Sequence, residues 1–332
     1  MKAPFIWFGG KRRVADQVWA AMGDVDSYVE PFAGSLAVLL ARPSWHRKRA
    51  ETVNDADYHL ANFWRALAHD PEAVAAWADW PVNEADLFAR HLWLVNEGRR
   101  RIAAIEADPD FYDAKVAGWW VWGINAWIGS GWCSGTGPWT LAVGDQDGVQ
   151  LPHLGDAGRG INRQLPHLGD AGRGASPGGV STASFPTSET LLAYMFDLAA
   201  RLRAVRVCCG DWSRVCTDGA LDYGANVGVF LDPPYLGDVR TADLYAVDDH
   251  TISTSVREWA VAHGDDPRMR IVLCGYIDEH EGHVPDTWRL VRYSASLAYG
   301  TTNGGGQNKA NRHGEALWFS PHCFHGAERL FA

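Results

Sequence analysis

The chain has 332 residues, 47% of them hydrophobic and 21% charged, a composition that supports a globular core. Its formal charge of −10 excludes a uniformly basic nucleic-acid binder but leaves room for a local basic patch. No apolar run reaches the roughly 18 residues of a membrane span, and "MKAPFIWFGGKRR" at the N-terminus lacks a signal core and cleavage site. The six cysteines show no C-x-x-C pairing, so reduced thiols, no zinc and a cytoplasmic location are expected.

In chain order, "SYVEPF" reads as a short strand, "AGS" as a turn, and "LAVLLARPSW" as a helix start ended by Pro43. "RAETVND" reads as a second strand, followed by a helix from about Ala56 to His69 with Leu60, Phe63, Trp64 and Leu67 on one face. From Pro71 to Ile128, Trp, Leu and Ala recur at helical spacing with no convincing strand, which predicts a helical insertion. Most of its tryptophans, such as Trp119, Trp120 and Trp122, read as packing residues. Three basic runs, Lys11-Arg12-Arg13, Arg47-Lys48-Arg49 and Arg99-Arg100-Arg101, read singly as solvated surface and together allow a basic groove.

Between Gly129 and Pro186, Gly, Ser, Pro and Asp dominate and no hydrophobic period persists. "LPHLGDAGRG" occurs at 151–160 and again at 165–174, separated by "INRQ". Two copies are too few for a solenoid, which needs about three. The segment reads as a duplicated mobile loop, or as a DNA-facing loop supplying Arg159, Arg163 and Arg173. His153 and His167 recur with the repeat and lack metal-ligand spacing, so they read as exposed.

Helix–strand alternation then resumes. "SETLLAYMFDLAARLRAV" is an amphipathic helix capped at Thr187 or Ser188. "VRVCCGDW", "NVGVFL" and "MRIVLCGY" read as strands, "SVREWAVAHG" as a helix between the last two, and "WRLVRYSASL" and "EALWFSP" as closing strands. Such alternation predicts an α/β fold with a mostly parallel sheet and ligands at the carboxyl ends of its strands. "YGTTNGGGQNKANRHGE" (Tyr299 to Glu315) reads as a flexible loop near that edge. Lys309 and Arg312 are its candidate phosphate contacts, though an ordinary surface hairpin fits equally.

The strand ends carry the chemistry. "SYVE" ends at Glu30 and opens into "PFAGS"; "ETVND" ends at Asn54-Asp55; "VRVCCGDW" ends at Asp211-Trp212. A glycine turn admits a ligand to the backbone and an acid at the next strand end can bind ribose hydroxyls, so an adenosine-containing cofactor is expected. The full G-x-G-x-x-G of a nicotinamide enzyme is missing. In "VFLDPPYLG", the prolines must stop the strand at Leu231, because they cannot donate to a ladder. That leaves Asp232 at the mouth of a buried strand, which is costly unless something uses it.

In this order, "FIWFGGKRR", "YVEPFAGS", "VNDAD", "VCCGDW" and "FLDPPY" resemble the Dam-like (D12 class) DNA adenine N6-methyltransferases. The resemblance implies a Rossmann-like S-adenosylmethionine-dependent fold with a helical target-recognition insertion. The expected division is residues 1–70 and 187–332 for the catalytic domain and 71–186 for the insertion. It implies that Trp7, Gly10 and Lys11 line the methionine end of S-adenosyl-L-methionine, with Glu30, Phe32, Ala33 and Gly34 in the turn beneath it. Asp55 would bind the ribose, and Asp211 and Trp212 the adenine. Asp232, Pro233, Pro234 and Tyr235 would be the catalytic motif, without metal. Leu36 departs from the pattern, where the family often has another glycine.

The implied activity is site-specific methylation of adenine N6 in double-stranded DNA, as in restriction-modification. Asp232 and the Pro233 carbonyl would hold the amine, and Tyr235 would stack on a base flipped from its helix. Methylation of cytosine N4 or RNA adenine on the same core, or an inactive DNA-binding module, are the alternatives.

Overall fold

The computed structural model describes residues 1–5, 7, 10–44, 49–108, 110–127, 132–133, 188–222, 224–235, 249–293 and 314–324. Seven strands form one sheet in the order β3-β2-β1-β4-β5-β7-β6. They are β1 (Ser27–Glu30), β2 (Ala50–Asp55), β3 (Val205–Cys209), β4 (Val227–Leu231), β5 (Met269–Tyr276), β6 (Arg289–Arg292) and β7 (Glu315–Phe319). The first five in that spatial order pair in parallel, and β7 pairs antiparallel with both β5 and β6. This is the α/β, Rossmann-like architecture with a closing antiparallel strand.

Helices cover both faces, which is why β1, β4 and β7 are buried at every residue and β4 reads as an unbroken apolar run. On one face lie α1 (Ala15–Met22), α3 (Tyr58–His69), α4 (Pro71–Ala78), α7 (Ala114–Ala126) and α8 (Ser188–Leu202). Phe63, Trp120, Trp122 and Leu67 form the centre of that core. On the other face, Val256 and Ala260 of α10 (Asp249–His263) pack on Val229, Leu231 and Ile271. The edge strand β3 is the exception, with Val207 39% exposed.

Local sequence explains most helix starts. Asp57 caps α3 by accepting from the His59 and Leu60 amides, and Asp70 caps α4 with Pro71 in its first turn. Asn83 does the same for α5 (Glu84–Trp93) and Asp113 for α7. Leu60, Phe63, Trp64 and Leu67 are all buried, as their spacing predicts. Trp120 and Trp122 are core residues, whereas Trp119 is partly exposed.

Some expectations change. The helix read from "LAVLLARPSW" is only α2 (Ala37–Leu40), because the chain already turns at Ala41 ahead of Pro43. The helix read from "SVREWAVAHG" begins earlier, at Asp249. Glu315, shared in the sequence reading by the Gly-rich loop and the strand "EALWFSP", belongs to the strand: it is the first residue of β7 and only 9% exposed. Its backbone is paired across from Tyr276 and accepts the Tyr293 amide at 3.1 Å. The duplicated decapeptides, Thr187, and Lys309 and Arg312 lie outside the described residues.

A buried ion network joins distant parts of the chain. Arg201 of α8 holds both oxygens of Glu51 on β2 at 2.7 and 2.9 Å, and Arg42 adds a bond to the same carboxylate at 3.0 Å. With every member nearly fully buried, removing one charge would leave the others uncompensated.

Candidate active site

The sheet reverses its order between β1 and β4, so the turns after these strands flank a crevice at the carboxyl edge. Glu30 ends one strand and Asp232 follows the other. Strand β2 reaches Asp55, opposite Cys209 at the end of β3, which brings the acid at Asp211 to the same edge.

The turn after β1 is tight. Gly34 has φ 46°, and an added Cβ would lie 2.5 Å from the Trp7 ring. Leu36 has φ 59° and ψ 28°, the left-handed conformation that glycine adopts without cost. The sequence departure therefore leaves the turn shape intact. Full burial of the Leu36 side chain offsets the strain. Gly10 donates its amide to the Trp7 carbonyl at 3.0 Å, which seats Lys11 at the start of a short helical turn.

Asp55 clamps this turn. Its Oδ2 accepts the Gly34 amide at 2.9 Å and its Oδ1 the Asp57 amide at 3.0 Å. Burial and then the neighbouring Asp57 charge raise its carboxyl to a pKa of about 6. Across the edge, the Trp212 and Phe32 rings stack at 6.2 Å and 29°. Asp211 is exposed and accepts the Ser213 amide at 2.9 Å through Oδ1. A glycine cradle, a ring pair and an exposed carboxylate fit an adenosine-bearing cofactor.

The fourth motif is the most strongly coupled. Lys11, only 5% exposed, places Nζ 2.9 Å from Asp232 Oδ1, and the Tyr235 hydroxyl donates to that same oxygen at 3.0 Å. Asp232 Oδ2 is left without a partner among the described residues. Burial pulls the Lys11 ammonium down, but Asp232, Cys274 and Glu315 more than offset it and the net shift is upward. The Tyr235 hydroxyl is pushed well above its ordinary value by burial and then by Asp232. Its ring was expected to present a stacking face. It is 9% exposed, with Lys11 Nζ 5.1 Å over it and the Tyr276 ring packed edge-on at 4.8 Å.

Glu30 lies beneath this cluster, 2% exposed, accepting the Tyr28 hydroxyl at 3.0 Å. Burial first, with Asp232 and Asp55 adding repulsion, raises its carboxyl from 4.5 to about 8. Below pH 4.5 both folded and unfolded states hold the proton. Between 4.5 and 8 only the folded state keeps it, so Glu30 costs stability increasingly as pH rises through that window. Glu30→Gln, which mimics the protonated form, should flatten this slope and melt above wild type at pH 8.5. A melting curve series from pH 5 to 8.5 with parallel slopes for both proteins would contradict it.

Three residues escaped the sequence reading because they come from β5 and the closing strands beside it. Cys274 and Glu315 act electrostatically on both Lys11 and Tyr235. Tyr293 is partly buried beside Glu315, and desolvation raises its hydroxyl. Of the basic runs that together would allow a groove, several members are neutralised locally. Arg49 pairs with Asp24 and Asp26, Arg100 with Glu97 and Arg101 with Asp113, while Arg99 donates to the Cys133 carbonyl. Lys11 is a buried ion-pair partner and not surface; Arg47 and Lys48 lie outside the described residues. Among the described residues, no three His, Cys, Asp or Glu side chains group to hold a metal ion. No helix there is long and apolar enough to cross a membrane.

Residues 7–91 match the family model of D12 class N6 adenine-specific DNA methyltransferases. The matched stretch holds Trp7, Gly10, Lys11, Glu30, Phe32, Ala33, Gly34 and Asp55, and ends before Asp211 and the Asp232–Tyr235 motif. No curated protein matches the chain.

Proposed function

We propose that this chain, an adenine-specific DNA methyltransferase of the D12 class by its match over residues 7–91, methylates N6 of an adenine flipped out of double-stranded DNA. In this reading residues 1–70 and 187–332 form the catalytic domain and 71–186 the target-recognition insertion. S-adenosylmethionine is the donor. When bound, it would supply a methyl group on a sulfonium to the amine nitrogen, leaving as the neutral thioether, with the proton lost by the methylated nitrogen passing by way of Asp232 to solvent.

The chain's own residues do the rest. The Trp7–Gly34 cradle, with Gly10, Lys11, Glu30, Phe32 and Ala33, would hold the methionine end. Asp55 would meet the ribose through the lone pairs its two amide bonds leave, and Asp211 and Trp212 the adenine. Exocyclic adenine nitrogen is a weak nucleophile because its lone pair is drawn into the ring. Asp232 Oδ2 and the Pro233 carbonyl, fixed by the two proline rings, would accept its two N–H groups and turn the lone pair outward.

The observation that carries this reading is the asymmetry at Asp232. One oxygen is held by Lys11 and Tyr235, so the carboxylate is aimed before substrate arrives and its second oxygen is left for the amine. A Tyr235 whose ring turns out from beneath Lys11 would stack on the flipped base; in place, its hydroxyl orients Asp232. The test is to incubate the protein with S-adenosylmethionine and, in separate reactions, unmethylated genomic DNA or RNA, digest to nucleosides and weigh them. N6-methyladenine is expected. N4-methylcytosine, or methylation of RNA alone, would overturn the assignment.

A further inference from the structure

We propose that Asn54 is a positioning residue for the methyl donor, holding the turn after β1 and the turn after β3 at a fixed spacing. The inference rests on the donor reading above. Asn54 is the next-to-last residue of β2 and 1% exposed. Its Nδ2 donates to the Pro31 carbonyl at 3.0 Å and to the Gly210 carbonyl at 2.9 Å. Both amide protons are used, one on each turn, and two carbonyl acceptors require the nitrogen on that side.

The backbone around it reinforces the bridge. The Asn54 carbonyl accepts the Ala33 amide at 2.9 Å, and the Asp55 carbonyl accepts the Gly210 amide at 3.0 Å. Among the described residues, no other side chain hydrogen-bonds to both turns. Asn54 Oδ1 is buried with no partner. An unsatisfied buried acceptor is costly, so the position has a use for the two donors that outweighs it. The bridged turns carry different ends of the donor site: Phe32, Ala33 and Gly34 on one side, Asp211 and Trp212 on the other. Fixing their spacing in advance spares a two-ended ligand the ordering cost on binding.

The test compares ligands that touch one turn or both. S-adenosylmethionine and 5′-methylthioadenosine, which lacks the amino-acid end, are titrated calorimetrically without DNA into wild type, Asn54→Asp and Asn54→Ser. Asn54→Asp keeps the shape and loses both donors; Asn54→Ser keeps one. Affinity of Asn54→Asp for S-adenosylmethionine should fall roughly tenfold or more, with Asn54→Ser intermediate and methylthioadenosine changed less than about threefold. Steady-state kinetics should show a raised KM for the donor with kcat nearly unchanged. Equal losses for both ligands, or no loss for either, overturn the proposal. Should Asn54→Asp fail to melt cooperatively, the Asn54→Ser comparison decides it on the same terms. Wild type that binds neither ligand overturns the donor reading itself, a result distinct from variants that match a binding-competent wild type.

Discussion

Asp232→Asn should lower the rate of methyl transfer by ~10³-fold, the scale of losing one preorganised group aimed at the reacting centre. The substitution keeps size while exchanging the free Oδ2 acceptor and the charge that Lys11 and Tyr235 hold in place. Donor affinity should stay within about twofold, since the loss falls on an interaction made with the target amine and not with the donor. Single-turnover kinetics on methylatable DNA, together with calorimetry for S-adenosylmethionine, read the two quantities separately. A fully active variant would remove the acceptor role from this carboxylate. Loss of donor binding in step with turnover would move Asp232 into the cofactor site.

Lys11→Met should produce the second large effect. Methionine keeps an unbranched apolar chain of similar reach, so the packing around the buried stem survives while the ammonium is lost. The Asp232 carboxylate is then left without its cation. Breaking a largely buried pair costs about 3–5 kcal/mol when one charge is left behind, discounted here because Asp232 keeps some solvent contact. Turnover should fall about 10²-fold, and KM for the donor should rise as well, because Lys11 also lines the proposed methionine end. The double variant Lys11→Met/Asp232→Asn should be little worse than Asp232→Asn alone, because both residues act through one carboxylate. Additive losses would detach Lys11 from the Asp232 carboxylate, and a KM effect with normal turnover would leave it with the donor alone.

The match over residues 7–91 covers the first two strand ends, while the acceptor motif lies far beyond it. The sheet joins them. Residue spacing of 2 and 3.6 is a local property, so the β2 strand, the α3 face and the strand stop before the prolines were legible from the chain. So was the acid at each strand end, since charged residues after apolar runs mark the carboxyl edge. The short α2 and the extended α10 were misread because helix length depends on what the ends pack against.

Through residue pattern alone, the chain determined its α/β class, the order of its turns and the candidate residues Glu30, Asp55, Asp211 and Asp232. Only tertiary structure decided how these groups act on one another. Lys11, written in a basic run, looks like surface; parallel strand order carries it under the Asp232 carboxylate and buries it there. Leu36 lacks glycine's freedom, yet burial holds it in the left-handed turn. Glu315 follows a Gly-rich stretch, and antiparallel pairing with β5 brings it into the catalytic cluster. Asn54 reads as an ordinary strand end until β3 and the turn after β1 arrive on either side of its amide. Charge pairing, strain and amide bridges depend on neighbours distant in the chain, and no local period encodes them.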